Sequence, residues 1–429
     1  MKNFLTLLCY RLFLLLLTPL ILLFLLLRSR SNPAYRQRLN ERFGWLNQSF
    51  QQQGIVIHAA SVGEVLALKN LVEKLLLAYP NTPVTFTTFT PTGSEQVIKL
   101  FGDRVQHCYL PLDIVFATEL FLQKLQPSLM IFMETELWPN LVAQANKRNI
   151  QLLLINGRIS NRSINSYKKL TWLFAPCLQK FNAILSQSID NQNNLLTIGA
   201  QVEQCRVSGN LKYDMLVSNE VQNKQAELNN LLAKNKTYWV FASSHQGDEQ
   251  LALDAFAHLQ QHYPNLLLVL VPRHPERFNN VTELAQAQGF ITQTRSSLQT
   301  VNDNCQVWVL DSLGELMALY GLADIVTIGG SFSAVGGHNP LEPAWFKKPI
   351  IVGPNMANFT DIMQQMLNHQ ALIQLPESHN ISAVLSDAVT KLLNNNSLAA
   401  RYGEQAHQVV KLNQGAVDKT LLEIALLMK

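Results

Sequence analysis

Leu266-Leu267-Leu268-Val269-Leu270-Val271-Pro272-Arg273-His274-Pro275-Glu276-Arg277 puts an unbroken apolar run directly ahead of a basic loop shaped by prolines. An apolar run without polar alternation fits a strand buried on both faces, as in parallel sheets. Leu129-Met130-Ile131-Phe132-Met133, followed by Glu134-Thr135-Glu136-Leu137-Trp138-Pro139-Asn140, repeats the arrangement. Outward from these two stretches, short apolar runs alternate with helical patterns. Strands are expected at 55–59, 84–89, 129–133, 151–155 and 183–186, and again at 238–242, 266–271, 306–310, 325–328 and 349–352. That alternation is the signature of α/β layers around a mostly parallel sheet. It breaks at 208–214 (SGNLKYD) and the polar helical stretch 218–235, then restarts. Two α/β domains are therefore expected, drawn at 31–212 and 213–429, behind a separate segment 1–30.

The 429-residue chain is too long for a disulfide-stapled miniprotein and too apolar, at 48% hydrophobic residues, for a disordered one. Charged residues make up 15%, against about 25% in an ordinary soluble protein. The formal charge of +4, from 34 Lys+Arg and 30 Asp+Glu, brings no basic patch with interleaved aromatics, so no nucleic-acid partner is expected. The five cysteines are scattered without C-x-x-C or zinc spacing and read as buried thiols in a reducing compartment.

The apolar excess is concentrated at 4–27, where Arg11 is the only charge. This is long enough to span a hydrocarbon core, which takes about 20 residues. It runs into Arg28-Ser29-Arg30 with no small-x-small cleavage site, so a retained anchor is expected in preference to a signal peptide. Arg28, Arg30, Arg36, Arg38 and Arg42 crowd its carboxyl side, which places the body of the protein in the cytoplasm. Pro19 and Arg11 leave a second arrangement open, a segment lying in one leaflet with Arg11 snorkelling to the headgroups.

Open α/β sheets bind ligands beyond the carboxyl ends of their strands, and two such domains facing one another would make one cleft from two such edges. The chemistry-bearing residues follow strands. In Ala59-Ala60-Ser61-Val62-Gly63-Glu64, Gly63 permits a tight turn and Glu64 stands at a helix start, where a carboxylate can act as a general base or simply complement the helix dipole. Glu134 and Glu136 would share one face of an extended chain. Lys212, in Gly209-Asn210-Leu211-Lys212-Tyr213-Asp214, could neutralise charge developing on a phosphate leaving group. Arg273 would project over the edge of the second sheet, where a guanidinium suits phosphate or a base edge.

The strongest local signal is 329–342 (GGSFSAVGGHNPLE). Asn339 as cap, Pro340 at the first helical position and Glu342 as capping-box partner announce a helix. A glycine-rich loop offering backbone N–H groups there would make an anion site. Glu342 could instead face a ribose. No Asp-x-Asp, H-E-x-x-H or G-x-S-x-G occurs, so metal-chelated diphosphate chemistry and serine hydrolysis lose their usual signs.

AASVGE, ETELWPN, SGNLKYD, PRHPERF and GGSF with GGHNPLEP closely resemble the bacterial 3-deoxy-D-manno-octulosonic acid (Kdo) transferases of lipopolysaccharide assembly, in the right order from the anchor to at least Gly353. The resemblance implies the GT-B architecture, two Rossmann-like domains facing a cleft, with an N-terminal membrane anchor helix. It implies inverting transfer of Kdo from CMP-Kdo to the lipid A precursor lipid IVA, at the cytoplasmic face of the bacterial inner membrane. CMP-Kdo is then a co-substrate; no cofactor and no metal at the transferase site are expected. Carried over by motif, Glu64 would be the base, Glu134 and Lys212 would stabilise the transition state, and CMP would be held by Pro272-Arg273, Leu313-Gly314-Glu315 and Asn339-Pro340-Leu341-Glu342. Asn156-Gly157-Arg158 departs from the Ala expected before the arginine, which leaves a role for Arg158 open. Two other readings stand beside this one: a GT-B enzyme using a UDP-sugar, and a membrane-tethered binding protein on a degenerate enzyme fold.

Overall fold

The computed structural model describes residues 2–30, 32–161 and 163–429. It divides into two compact units, 1–214 with 413–429 and 215–412. Each is built on a seven-stranded sheet.

In the first unit the strands are β1 (Ile55–His58), β2 (Val84–Thr88), β3 (Gln106–Tyr109), β4 (Leu129–Met133), β5 (Gln151–Gly157), β6 (Ala183–Ser186) and β7 (Cys205–Val207). They lie in the order β3-β2-β1-β4-β5-β6-β7, all paired parallel. The second unit has β8 (Thr237–Ser244), β9 (Leu266–Pro272), β10 (Thr292–Thr294), β11 (Val307–Val309), β12 (Ile325–Ile328), β13 (Ile350–Val352) and β14 (Ile373–Gln374). Their order is β10-β11-β9-β8-β12-β13-β14, again all parallel. The central strands are buried along their whole length because helices cover both faces, the environment that continuous apolar runs require. All the expected strands form, and the α/β expectation holds for each unit.

The strand order reverses between β1 and β4 in the first sheet and between β8 and β12 in the second. Neighbouring loops diverge at such a reversal and open a crevice at the carboxyl ends of the strands.

Residues 413–429 depart from a second domain drawn to the chain end, because they pack on the first sheet. The Asp214 carboxylate accepts the backbone N–H groups of Gly415 and Val417 at 2.7 and 2.6 Å, at the start of the helix Ala416–Leu427. Ala416, Val417 and Ile424 then bury in the same core as Ile55, Ile57 and Leu68. Cys9 is exposed, unlike the other four thiols, which are buried.

The N-terminal helix Lys2–Arg28 is long and apolar enough to cross a membrane by length and composition. Part of it is docked on the first unit. Tyr10 donates its hydroxyl to Asp113 Oδ2 at 2.8 Å, and Arg11 Nε donates to Asn140 Oδ1 at 2.8 Å. Ile21 packs against Leu112, Ile114 and Ala117, and Leu25 is buried. Arg11 Nε is therefore engaged by the protein. Leu12, Leu16, Leu20, Leu23 and Leu27 remain exposed. The arginine cluster beyond the helix also changes on folding. Arg42 is buried, donates to the Phe89 carbonyl at 2.6 Å and lies over the Tyr109 ring, while Arg38 pairs with Glu41 at 2.8 Å. Arg42 does not have its charge turned to the outside, and Arg38 is partly exposed.

Candidate active site

Glu64 stands at the reversal of the first sheet, one turn into the helix Val62–Ala78 that follows β1. Ser61 caps that helix, and the Glu64 side chain folds back over the cap. Its carboxylate accepts the Ala60 N–H at 2.9 Å and the Ser61 hydroxyl at 2.7 Å. The Ser-x-x-Glu spacing thus forms a local cap and still leaves the carboxyl at the sheet edge. Burial raises its pKa above the ordinary carboxylate range, against the lowering from those two donors, and the negative charges of Glu134 and Glu136 raise it further.

Glu134 follows β4, the strand beside β1. Its backbone turns into the left-handed region, with φ +56°, immediately after the strand. The chain does not continue extended, so Glu134 and Glu136 do not share a face. Glu134 Oε1 lies 3.7 Å from Lys212 Nζ. Glu136 Oε2 instead accepts Trp138 Nε1 at 2.9 Å and lies 3.3 Å from His58 Nε2. Thr135 hydroxyl donates to the Arg158 carbonyl, so Arg158 at least anchors this turn through its backbone.

Lys212 is held from β5. Asn156, at a bulge with φ +54°, accepts the Leu211 N–H at 3.0 Å through Oδ1, and Asn210 accepts the Lys212 N–H at 3.0 Å. Leu211 and Tyr213 bury on either side, which leaves Lys212 only partly covered. Glu64 and Glu134 thereby stand at the carboxyl ends of the adjacent strands β1 and β4, and Lys212, which follows β7, is brought to Glu134 through Asn156. Sequence reasoning missed His58 and Asn156, both inside apolar strand runs where a polar residue could have been noticed.

At the reversal of the second sheet, β8 leads to residues 245–248 and β12 to the glycine-rich loop. Gly329 comes so close to β8 that a Cβ would stand 2.6 Å from the Ser243 carbonyl oxygen. Gly330, Gly336 and Gly337 all have positive φ. Asp248 Oδ2 accepts both the His245 N–H at 2.9 Å and the Gly330 N–H at 2.6 Å, tying the two loops together. Burial pushes the Asp248 carboxyl up to about 6. The rings of His245 and His338 stack, with their Nε2 atoms 2.8 Å apart.

The loop is less open to an anion than expected. The N–H groups of Gly329, Gly330 and Gly337 are taken by Ala242 O, Asp248 and Gly330 O. The helix that follows, Leu341–Trp345, has only five residues and begins one residue later than the capping pattern implied. Asn339 Oδ1 accepts the Leu341 N–H at 3.1 Å, but Glu342 Oε1 takes the Asn339 side-chain amide at 3.3 Å in place of a backbone N–H. Burial raises the Glu342 carboxyl, opposed by Asn339 and by the Arg273 guanidinium. Arg273 follows β9 and is exposed; Pro272 and Leu341 are buried.

In the third predicted stretch Leu313 is exposed and Gly314 has φ +84°. The Glu315 carboxylate is spent on Arg295, at 3.0 Å in a buried ion pair, and on the Ser312 hydroxyl. Among the described residues no group of three or more His, Cys, Asp or Glu is placed to hold a metal ion.

A family model described as 3-deoxy-D-manno-octulosonic-acid transferase (kdotransferase) matches residues 37–215. The 3-deoxy-D-manno-octulosonic acid transferase of Haemophilus influenzae is 42% identical over 414 residues, covering 96% of each chain. That of Rickettsia typhi is 33% identical and covers 88% of this chain and 80% of its own. The UDP-GlcNAc 2-epimerase of Neisseria meningitidis superposes with a TM-score of 0.60 over 87% of this chain and 99% of its own; at 13% identity it shares the fold alone. A glycosyltransferase of Rickettsia africae does likewise, with a TM-score of 0.56 at 15% identity over 89% of this chain and 100% of its own. On its near full-length likeness to the Haemophilus relative, the chain belongs to the 3-deoxy-D-manno-octulosonic acid transferases, a family of glycosyltransferases.

Proposed function

We propose that this enzyme transfers Kdo from CMP-Kdo to lipid IVA, with inversion, at the cytoplasmic face of the bacterial inner membrane. The observation that carries the reading is Glu64, a carboxyl with a raised proton affinity beside two further carboxylates and Lys212 at one sheet reversal. Glu64 takes the proton from the acceptor hydroxyl. The hydroxyl oxygen bonds to the anomeric carbon of Kdo, and the bond from that carbon to the phosphate oxygen breaks, so CMP leaves with the electron pair. One attack inverts the anomeric centre and needs one base. Glu134 holds the Lys212 ammonium in place, and Lys212 offsets charge developing in the transition state.

The second unit would hold CMP through Pro272, the Arg273 guanidinium, the loop Leu313-Gly314-Glu315 and the stretch Asn339-Pro340-Leu341-Glu342. Arg273 takes the phosphate and the 339–342 turn the ribose, because among the described residues Glu342 has the Asn339 amide as its one hydrogen-bond partner. Lys212 and Arg273 supply positive charge from side chains, so the proposed mechanism is metal-independent.

The N-terminal helix would attach the enzyme to the membrane. Its docking through Tyr10, Arg11, Ile21 and Leu25 supports a helix embedded along the domain more than one crossing free of it. The exposed leucines then face acyl chains. Incubation with CMP-Kdo and lipid IVA followed by mass spectrometry tests the activity and counts the sugars added. CMP should compete and UDP should not; transfer from a UDP-sugar in place of CMP-Kdo would overturn the reading.

A further inference from the structure

We propose that Tyr10 and Arg11 are positioning residues for the turn that carries Glu134, so that the docked N-terminal helix sets the turnover of the enzyme as well as its location. The inference rests on the reading of Glu134 as the carboxylate that holds Lys212.

That turn, 134–138, joins β4 to the helix Pro139–Lys147. Its first end is tied to the sheet, where the Glu134 N–H donates to the Ile155 carbonyl at 2.9 Å. Its second end lacks a local cap. The first helical residue is a proline, and the side chain at the cap position, Trp138, makes no capping bond among the described residues; it donates to Glu136 instead. The N–H groups that open the helix belong to Asn140 and Leu141. Asp113, in the loop ahead of the helix Val115–Leu125, accepts both, at 2.9 Å through Oδ2 and 2.8 Å through Oδ1. A carboxylate from a distant loop thus supplies the cap that the local sequence does not.

The N-terminal helix holds both partners of this cap. Tyr10 donates its hydroxyl to Asp113 Oδ2, the oxygen that also takes the Asn140 N–H. Arg11 Nε donates to Asn140 Oδ1 while Asn140 Nδ2 donates to the Asp113 carbonyl at 2.6 Å, which fixes the orientation of the amide. Asp113 and Asn140 are buried. Arg11 is the only charge in 4–27, whereas Thr18 in the same stretch is spent on its own helix, at the Leu14 carbonyl. A segment that only tethered the chain to lipid would need no arginine, which is costly there. The turn is short and fixed at both ends, so looseness at the helix start passes to Glu134 and through it to Lys212, 3.7 Å away. Misplacing a group that meets developing charge costs rate more than donor binding.

The test is steady-state kinetics of the full-length enzyme in detergent with CMP-Kdo and lipid IVA, with thermal unfolding as a check on folding. Tyr10→Phe and Arg11→Met should each lower kcat about five- to tenfold and leave KM for CMP-Kdo near that of the parent; either serves if the other unfolds. Arg11→Lys, which keeps a donor within reach of Asn140, should recover most of the loss, and Thr18→Val should leave kcat unchanged. Because Tyr10 and Arg11 act through Glu134 and Lys212, either substitution added to Lys212→Ala should cost about twofold or less, whereas a general loosening of the fold would multiply the two losses. Parental kcat in both Tyr10→Phe and Arg11→Met, or fully multiplied losses beside Lys212→Ala, would overturn this inference and leave the roles of Glu134 and Lys212 standing. Parental turnover by Glu134→Gln would overturn the reading of Glu134 itself.

Discussion

Lys212 Nζ lies 3.7 Å from Glu134 Oε1, brought there by an Asn156 side chain that holds the Leu211 N–H from a bulge in the neighbouring strand. The ammonium is placed by a carboxylate and still partly open, the arrangement expected of a cation that meets charge only as it develops. Lys212→Ala should therefore lower kcat by about a hundredfold, with KM for CMP-Kdo changed little. Steady-state kinetics with varied donor checks the split; a pure KM effect would assign Lys212 to ground-state binding.

Asp248 makes a pH-dependent contribution with a definite sign. Its pKa is raised from 3.8 to about 6 on folding, so between these values the folded state binds more protons than the unfolded one. Stability from this group is fully present below about pH 4 and is lost as pH rises through 6, by roughly 3 kcal/mol in all. Asp248→Asn keeps an oxygen for the His245 and Gly330 N–H groups and removes the titration. Denaturant unfolding of the full chain at about pH 4.5, inside that window, and about pH 7, above it, should show a flatter dependence in the variant than in the parent.

Glu315 was expected among the donor contacts, but its carboxylate is buried on Arg295. Glu315→Ala would leave that guanidinium with Glu227 as its remaining carboxylate and should cost about 1–3 kcal/mol of stability. Donor affinity should fall only as far as the loop at Gly314 loosens. Thermal unfolding with and without CMP separates the two effects.

The N-terminal helix is part of the first unit's packing. Asp113 accepts Tyr10 and the N–H groups of Asn140 and Leu141 at 2.8, 2.9 and 2.8 Å. Removing residues 1–30 should lower the melting temperature of the protein in detergent, where membrane attachment no longer matters. An unchanged melting temperature would mean that the helix is a detachable tether.

The sequence and the structure part company in an orderly way. The four strands that no apolar run announced, Gln106–Tyr109, Cys205–Val207, Thr292–Thr294 and Ile373–Gln374, are the four outermost strands of the two sheets. An edge strand is short and has a neighbour on one side only, so it carries little of the pattern that reveals an inner one. The loops after β1, β4, β9 and β12 were legible because an apolar run stops where the chain leaves the core. What the side chains do there was less legible. The left-handed turn at Glu134 separated it from Glu136, and Arg295 claimed Glu315 from 20 residues away. Both depend on contacts formed only when distant segments meet. The return of 413–429 to the first unit has the same cause, since Asp214 captures the start of the last helix across 201 positions.

The most direct measurement is turnover by Glu64→Gln with CMP-Kdo and purified lipid IVA, alongside CMP-Kdo binding. Gln keeps the size of the side chain and cannot accept the acceptor proton. Transfer should fall by about a hundred- to ten-thousand-fold while donor binding stays near that of the parent. Turnover close to the parent's would contradict the account at its centre.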